Sequence, residues 1–240
     1  NFGDIYAGYI AKKMGLPIDK LIVATNKNDI LQRVINTGEY KPDKVKPSLS
    51  PSMDIQVSSN FERLLFDILS GDDKKVDSLM KDLKTKGFFK LDQDSIMNIK
   101  KDFCAEKIND EETLAIIKKL DIESKFILDP HTATAFGAAK KISNLSEIII
   151  LGTAHPYKFL ETVKKATGKE IKAPSQLSNA VDKEERFDII ENNISKIKNY
   201  ILEKIQIIVI LIFYLYLNKF CKIVKFNFFS FKWWFNFAIK

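Results

Sequence analysis

The residues best suited to chemistry in this chain sit where helices begin. Asn1-Phe2-Gly3-Asp4 leads straight into Ile5, Tyr6, Tyr9, Ile10 and Met14, apolar positions at helical spacing. A helix start presents unpaired backbone N–H groups and the positive end of the peptide dipoles, which together suit an anion. Gly3 lets the backbone approach such an anion closely or adopt a positive φ. The same four residues also read as a plain turn, with Asp4 as cap. A second start lies in "SSNFERLLFDIL", where Ser59 and Glu62 have the spacing of a capping box. Arg63 adds a planar fork matched to phosphate oxygens, although a surface salt bridge to Glu62 or Asp67 would occupy it equally well. Thr153, in "LGTAHP", ends an apolar run that predicts a strand, and ligands of open α/β sheets gather at such carboxyl ends. Its plainer role is to cap the helix that follows. His131 and His155, the only two histidines, read as turn residues bonded to backbone, with Thr132 capping the helix beyond His131.

These residues need a scaffold, and the pattern supplies one. "KLIVAT" (20–25) predicts a short buried strand, and "NDILQRVINTG" a helix ending at Gly38. Helix, strand and helix within forty residues is the rhythm of a parallel α/β sheet. "KPDKVKPSLSPSM" is irregular. Residues 72–120 read as polar-faced helices broken at "TKGFFKLD" and "IND". "DPHTATAFGAAKKI" predicts a turn and a helix whose small residues allow close packing. "SEIIILGTAHPYKFLETVKKATG" predicts a second strand–turn–helix unit closed by Gly168, and "ERFDIIENNISKIKNYILEK" a last helix.

Composition divides the chain in two, 1–204 and 205–240. The last 36 residues hold five Lys, no acid, eight of the 18 Phe and both Trp. Without them the chain has 33 basic and 31 acidic residues, so the formal charge of +7 belongs to the tail and gives the body no case for binding nucleic acid. The apolar run Ile207–Leu217 is shorter than the roughly 20 residues that cross a bilayer. An Ile/Phe/Asn/Lys/Tyr-rich tail of this kind reads first as A/T-rich sequence translated out of frame or past a lost stop, and second as a membrane-surface segment. Cys104 and Cys221 are isolated, without metal-ligand spacing, which fits a reducing compartment; Cys104 reads as an inert thiol.

Taken together, "NFGDIYAGYIAKKMGLPIDKLIVATNKNDIL", "TGEY", "SPSMDIQVSSNFERLLF", "DPHTATA" and "TAHPYKF" resemble the threonine synthases of the bacterial and fungal type. The resemblance implies an α/β fold with a mostly parallel sheet and flanking helices, the pyridoxal-phosphate (PLP) fold type II, here without its amino-terminal part. It implies a cytoplasmic enzyme that converts O-phospho-L-homoserine and water to L-threonine and phosphate, with PLP as electron sink. In that family the first loop cradles the PLP phosphate, which assigns Asn1, Phe2, Gly3 and Asp4 to cofactor binding, and Thr153 to the pyridine nitrogen. The substrate's own phosphate calls for a second anion site, drawn from Ser52, Ser58, Ser59, Asn60 and Arg63, with Asn26 and Asn28. The family's Schiff-base lysine lies in a Ser-Phe-Lys-Asp motif that these 240 residues do not contain, so no catalytic residue is assigned and the chain alone is expected to be inactive. A related PLP lyase such as a threonine dehydratase is the enzymatic alternative; a non-catalytic, membrane-associating fragment is the other. The "SPSMDIQVSSNFER" stretch speaks against the dehydratase, whose substrates carry no phosphate.

Overall fold

A computed structural model describes residues 2–142, 147–175 and 183–207, and the chain falls into two compact units, Asn1–Ala180 and Val181–Lys240. The first unit opens with helix α1 (Gly3–Lys13), strand β1 (Leu21–Thr25) and helix α2 (Ile30–Thr37), the helix–strand–helix order read from the pattern. Gly38 closes α2 in the left-handed region at φ 78, where its N–H bonds the Val34 carbonyl. The two-residue strand β2 (Glu39–Tyr40) pairs antiparallel with β3 (Phe89–Lys90). Between them lie a long loop with one 3-10 turn (Pro51–Met53), helix α3 (Phe61–Ile68) and helix α4 (Asp73–Lys86).

Helix α5 (Gln93–Asp102) runs without a turn into β4 (Phe103–Lys107), which pairs parallel with β1 in the register Leu21–Phe103 to Thr25–Lys107. This strand corrects the reading of 72–120 as helices alone. No Gly, Pro or Asn separates α5 from β4, and Phe103 and Ala105 supply only two inward positions, too short an alternation to stand out. Helices α6 (Asp110–Ser124) and α7 (Pro130–Lys141) follow, then a 3-10 turn (Pro156–Phe159) and α8 (Leu160–Thr167), closed by Gly168 at φ 73. The close packing expected of the small-residue helix is present: a Cβ on Gly137 would lie 2.6 Å from Ile116 Cδ1 of α6.

One core gathers Phe2, Leu21, Val23, Ile30, Val34, Phe61, Leu64, Phe89, Ile99 and Phe103; a smaller one joins Ile117, Leu128, Ala133 and Ala166. Each fully buried Ile, Leu or Phe contributes about 1.5–3 kcal/mol, so α2 and α3 are held by their buried faces. The predicted strand at 148–151 forms no ladder among the described residues, and Ile149 is 89% exposed. A strand exists only where a neighbour takes its N–H and C=O groups, and among the described residues β1 pairs with β4 alone.

In the second unit, residues 194–207 are helical, whereas 184–193 are not, so the last helix begins later than its pattern suggested. There Asp188 accepts hydrogen bonds from Tyr200 and Lys204, which hold its carboxyl below the usual range. No helix among the described residues is long and apolar enough to cross a membrane. Cys221 and nearly all of the tail lie outside the described residues.

Candidate functional site

The starts of α1 and α3 meet. Phe2 caps α1 from the left-handed region at φ 64, a conformation a non-glycine residue holds only when its surroundings fix it. The fixing is visible: the Phe2 ring, 4% exposed, meets Phe61 edge-on at 5.4 Å and Phe103 at 5.7 Å. The side chain of Phe2 therefore belongs to the core, and what it offers a ligand is its backbone. Gly3 is the first helical residue, and a Cβ there would stand 3.5 Å from Asn60 Nδ2. Asp4 is exposed in the first turn, and Asn1 lies outside the described residues. Asn60 holds the cap position of α3 without a side-chain cap bond, so the capping box expected of Ser59 and Glu62 is not formed. Helix α3 starts one residue too late for that spacing.

Ser59 and Arg63 are exposed beside this junction, and Arg63 makes no ion pair among the described residues. The partner expected of it, Asp67, instead pairs with Lys13 at 3.2 Å and accepts a hydrogen bond from Tyr6 at 2.9 Å. Arg63 thus stands in the first turn of α3 with Asp67 engaged elsewhere.

The loop 41–60 is pinned by a carboxylate that sequence reasoning did not single out. Asp54 Oδ1 accepts hydrogen bonds from Asn26 Nδ2 at 2.8 Å, Asn28 Nδ2 at 2.9 Å and Ser48 Oγ at 2.5 Å; its Oδ2 accepts the Ser48 N–H at 2.9 Å. Asn28 also donates to the Lys46 carbonyl and accepts the Lys46 N–H, both at 2.8 Å. The Asn28 amide, like that of Asn26, is thereby spent on holding the loop to the carboxyl end of β1. At the far end of the loop the Ser58 N–H donates to Tyr40 Oη at 2.7 Å.

The same loop also reaches a third helix start, that of α7. Asp129, 2% exposed, caps it by accepting the N–H groups of His131 and Thr132 at 2.9 and 3.2 Å. Burial works to raise its carboxyl, but the bonds from His131 and Thr132 outweigh it and hold the group below the ordinary range. Thr132 was the expected cap; it donates its hydroxyl to Asp129 instead. His131 Nε2 accepts the Ser52 N–H at 3.2 Å, which places the exposed Ser52 against α7. A Cβ on Gly152 would lie 4.0 Å from Thr132 Oγ1, so Gly152 and the adjacent exposed Thr153 also border this start. His155 takes the turn role read for it, accepting the Tyr157 N–H at 3.1 Å.

Two groupings thus emerge, Gly3 with Asn60 and Ser52 with His131, Thr132 and Gly152. A separate cleft of about 520 Å³, lined by Lys27, Arg33, Lys46 and Lys107, has most of its cations engaged. Asp29 binds Arg33 and Lys107 at 2.9 and 2.8 Å, and Asp110 binds Lys27 at 2.8 Å.

A family model described as "Threonine synthase, C-terminal" matches residues 132–201. Threonine synthase of Pseudomonas aeruginosa is 42% identical over 204 residues, 84% of this chain and 44% of that protein; the Saccharomyces cerevisiae enzyme is 41% identical across 82% of this chain and 46% of its own. The chain is similar to the carboxy-terminal part of threonine synthases over most of its length. A crystal structure of PLP-bound threonine synthase from Brucella melitensis superposes with a TM-score of 0.76 at 41% identity, covering 83% of this chain and 43% of that one. The yeast threonine synthase structure gives 0.74 at 40% identity. The fold type II architecture expected for the family is therefore the fold present. The chain spans less than half the length of the threonine synthases it matches.

Proposed function

We propose that this chain forms the phosphate-binding side of a PLP-dependent threonine synthase, acting on O-phospho-L-homoserine and water to give L-threonine and phosphate in the cytoplasm. One observation carries the reading: Gly3 at the start of α1 lies against Asn60 at the start of α3, with Arg63 outside any ion pair among the described residues. The residues fit the cofactor's phosphate. A helix start whose first residue has no side chain offers N–H donors to a closely approaching anion, and a larger residue at Gly3 would meet Asn60. Phe2, Gly3 and Asp4, with Asn1, would hold that phosphate, and Thr153 would face the pyridine nitrogen. PLP, when bound, supplies the electron sink for proton removal next to the substrate's amino group.

The rest falls to the chain's own residues. Ser59, Asn60 and Arg63 orient the substrate phosphate, the Arg63 fork stabilising it as it leaves. Ser52 would contribute from the start of α7, where its N–H is held by His131. Asn28 takes a supporting part through Asp54, its amide being already committed. No side chain of this chain is assigned the Schiff base. The nearest string to the family motif, Ser230-Phe231-Lys232, is followed by Trp233 and stands in the tail.

The test joins this chain to the amino-terminal part of the Pseudomonas aeruginosa enzyme. The chimera is expected to retain PLP through dialysis and to release phosphate from O-phospho-L-homoserine. Arg63→Ala should raise KM by roughly tenfold or more, the loss of one charge-assisted contact. Equal phosphate release by the amino-terminal part alone would defeat the proposal.

A further inference from the structure

The hydrogen bond from Ser52 to His131 decides a proton position. A peptide N–H can only donate, so His131 Nε2, 3.2 Å from the Ser52 nitrogen, is a bare acceptor. The proton of the neutral ring is then on Nδ1, which lies 3.2 Å from Asp129 Oδ1. The ring is 7% exposed and is held from another side by Phe159, at 4.7 Å between centroids. Within the 3-10 turn Pro51–Met53, the Met53 N–H bonds the Ser50 carbonyl and the Asp54 N–H bonds the Pro51 carbonyl, while Pro51 has no N–H. The Ser52 N–H is directed out of the turn, to the histidine.

We propose that His131 is a positioning residue of the substrate side. Held as the Nδ1–H tautomer by Asp129, it accepts the Ser52 amide through Nε2 and so sets the Pro51–Met53 turn against the start of α7. This rests on the reading of Ser52 as a substrate-side residue. The neighbouring Asp54 network anchors the remainder of the loop to β1 without using His131, so removing the imidazole releases the turn and spares its base. The arrangement sets a chemical requirement at position 131, an acceptor at the Nε2 position, and shape alone does not meet it.

The test uses the full 240-residue chain labelled with ¹⁵N. The ring nitrogen signals of His131 should show Nδ1 protonated and Nε2 bare, and the Ser52 amide should resist hydrogen exchange. His131→Gln, whose amide oxygen can accept at the same reach, should keep that protection. His131→Phe, which fills the space without an acceptor, should lose it by roughly tenfold, the worth of a single hydrogen bond. A ring protonated on Nε2, or full protection in His131→Phe, overturns the proposal. Ser52→Ala, assayed in the chimera for its KM toward O-phospho-L-homoserine against His131→Phe, separates the two layers. Unchanged KM in both variants also overturns the proposal, and an Nδ1–H ring signal would then show that the substrate-side reading had failed while the hydrogen bond stood.

Discussion

At the scale of single residues, the proposed site is built from backbone donors that side chains position. Phe2 shows the division of labour, with its ring in the core and its backbone in the left-handed region at the start of α1. Replacing Gly3 by Val should weaken PLP binding by the chimera at least about tenfold, because a branched side chain at the start of α1 bars an anion from approaching the backbone; equilibrium dialysis reads this directly. Thr153→Ala should lower phosphate release with little change in global stability, as the side chain is exposed; a variant as active as the parent would remove Thr153 from the site. Asp129 and Asp29 both have depressed carboxyl values. In each, hydrogen bonds outweigh burial, from His131 and Thr132 for Asp129 and from Lys107 and Arg33 for Asp29. A depressed carboxylate stabilises the fold above its unfolded value, about 3.9 for Asp, and that contribution disappears as pH falls through the lower folded values. Urea midpoints should therefore be level above about pH 5 and drop below about pH 4, with a shallower drop in Asp129→Asn. Among the proposed site residues, Gly3, Asn60 and Arg63 draw attention in the sequence because helix starts and phosphate forks have local signatures. Asp54 does not, because its donors Asn26 and Asn28 lie far back in the sequence; Asp129 is passed over for Thr132 as the cap of α7, although its donors, His131 and Thr132, are its own neighbours.

At the scale of elements, local rules succeeded where an element ends itself and failed where it needs a partner. Helix α2, stopped by Gly38, and α8, stopped by Gly168, follow from pattern and punctuation. Strand β4 was hidden because it continues α5 without a break, and its identity comes from lying beside β1. The converse holds for 148–151, an apolar run with every local mark of a strand and no pairing neighbour among the described residues. Two substitutions test these elements. Gly38→Ala should destabilise by about 1–3 kcal/mol, since it combines a positive φ with a Cβ 2.3 Å from Ile96 Cδ1. Asp54→Asn should cost about 1–3 kcal/mol by setting an amide donor against Asn26, Asn28 and Ser48, all donors, and should speed exchange of the Ser48 amide while β1 stays protected.

At the scale of the molecule, the starts of α1 and α3 meet at Gly3 and Asn60, whereas the N–H groups at the start of α7 are taken by Asp129, and that helix holds the loop 41–60 through His131 and Ser52. The proposed phosphate cradle therefore falls to the starts of α1 and α3. The charge of the whole chain is no guide to it, since the excess of lysine lies in the tail and the cleft rich in cations is occupied by its own carboxylates. The most direct measurement compares PLP with pyridoxal, which lacks the phosphate, for binding to the chimera and to its Gly3→Val variant. The account predicts that the parent binds PLP at least about tenfold more tightly than pyridoxal and that Gly3→Val erases most of the difference. Equal binding of the two compounds by the parent, or a preference that survives in Gly3→Val, would contradict a phosphate cradle at the start of α1.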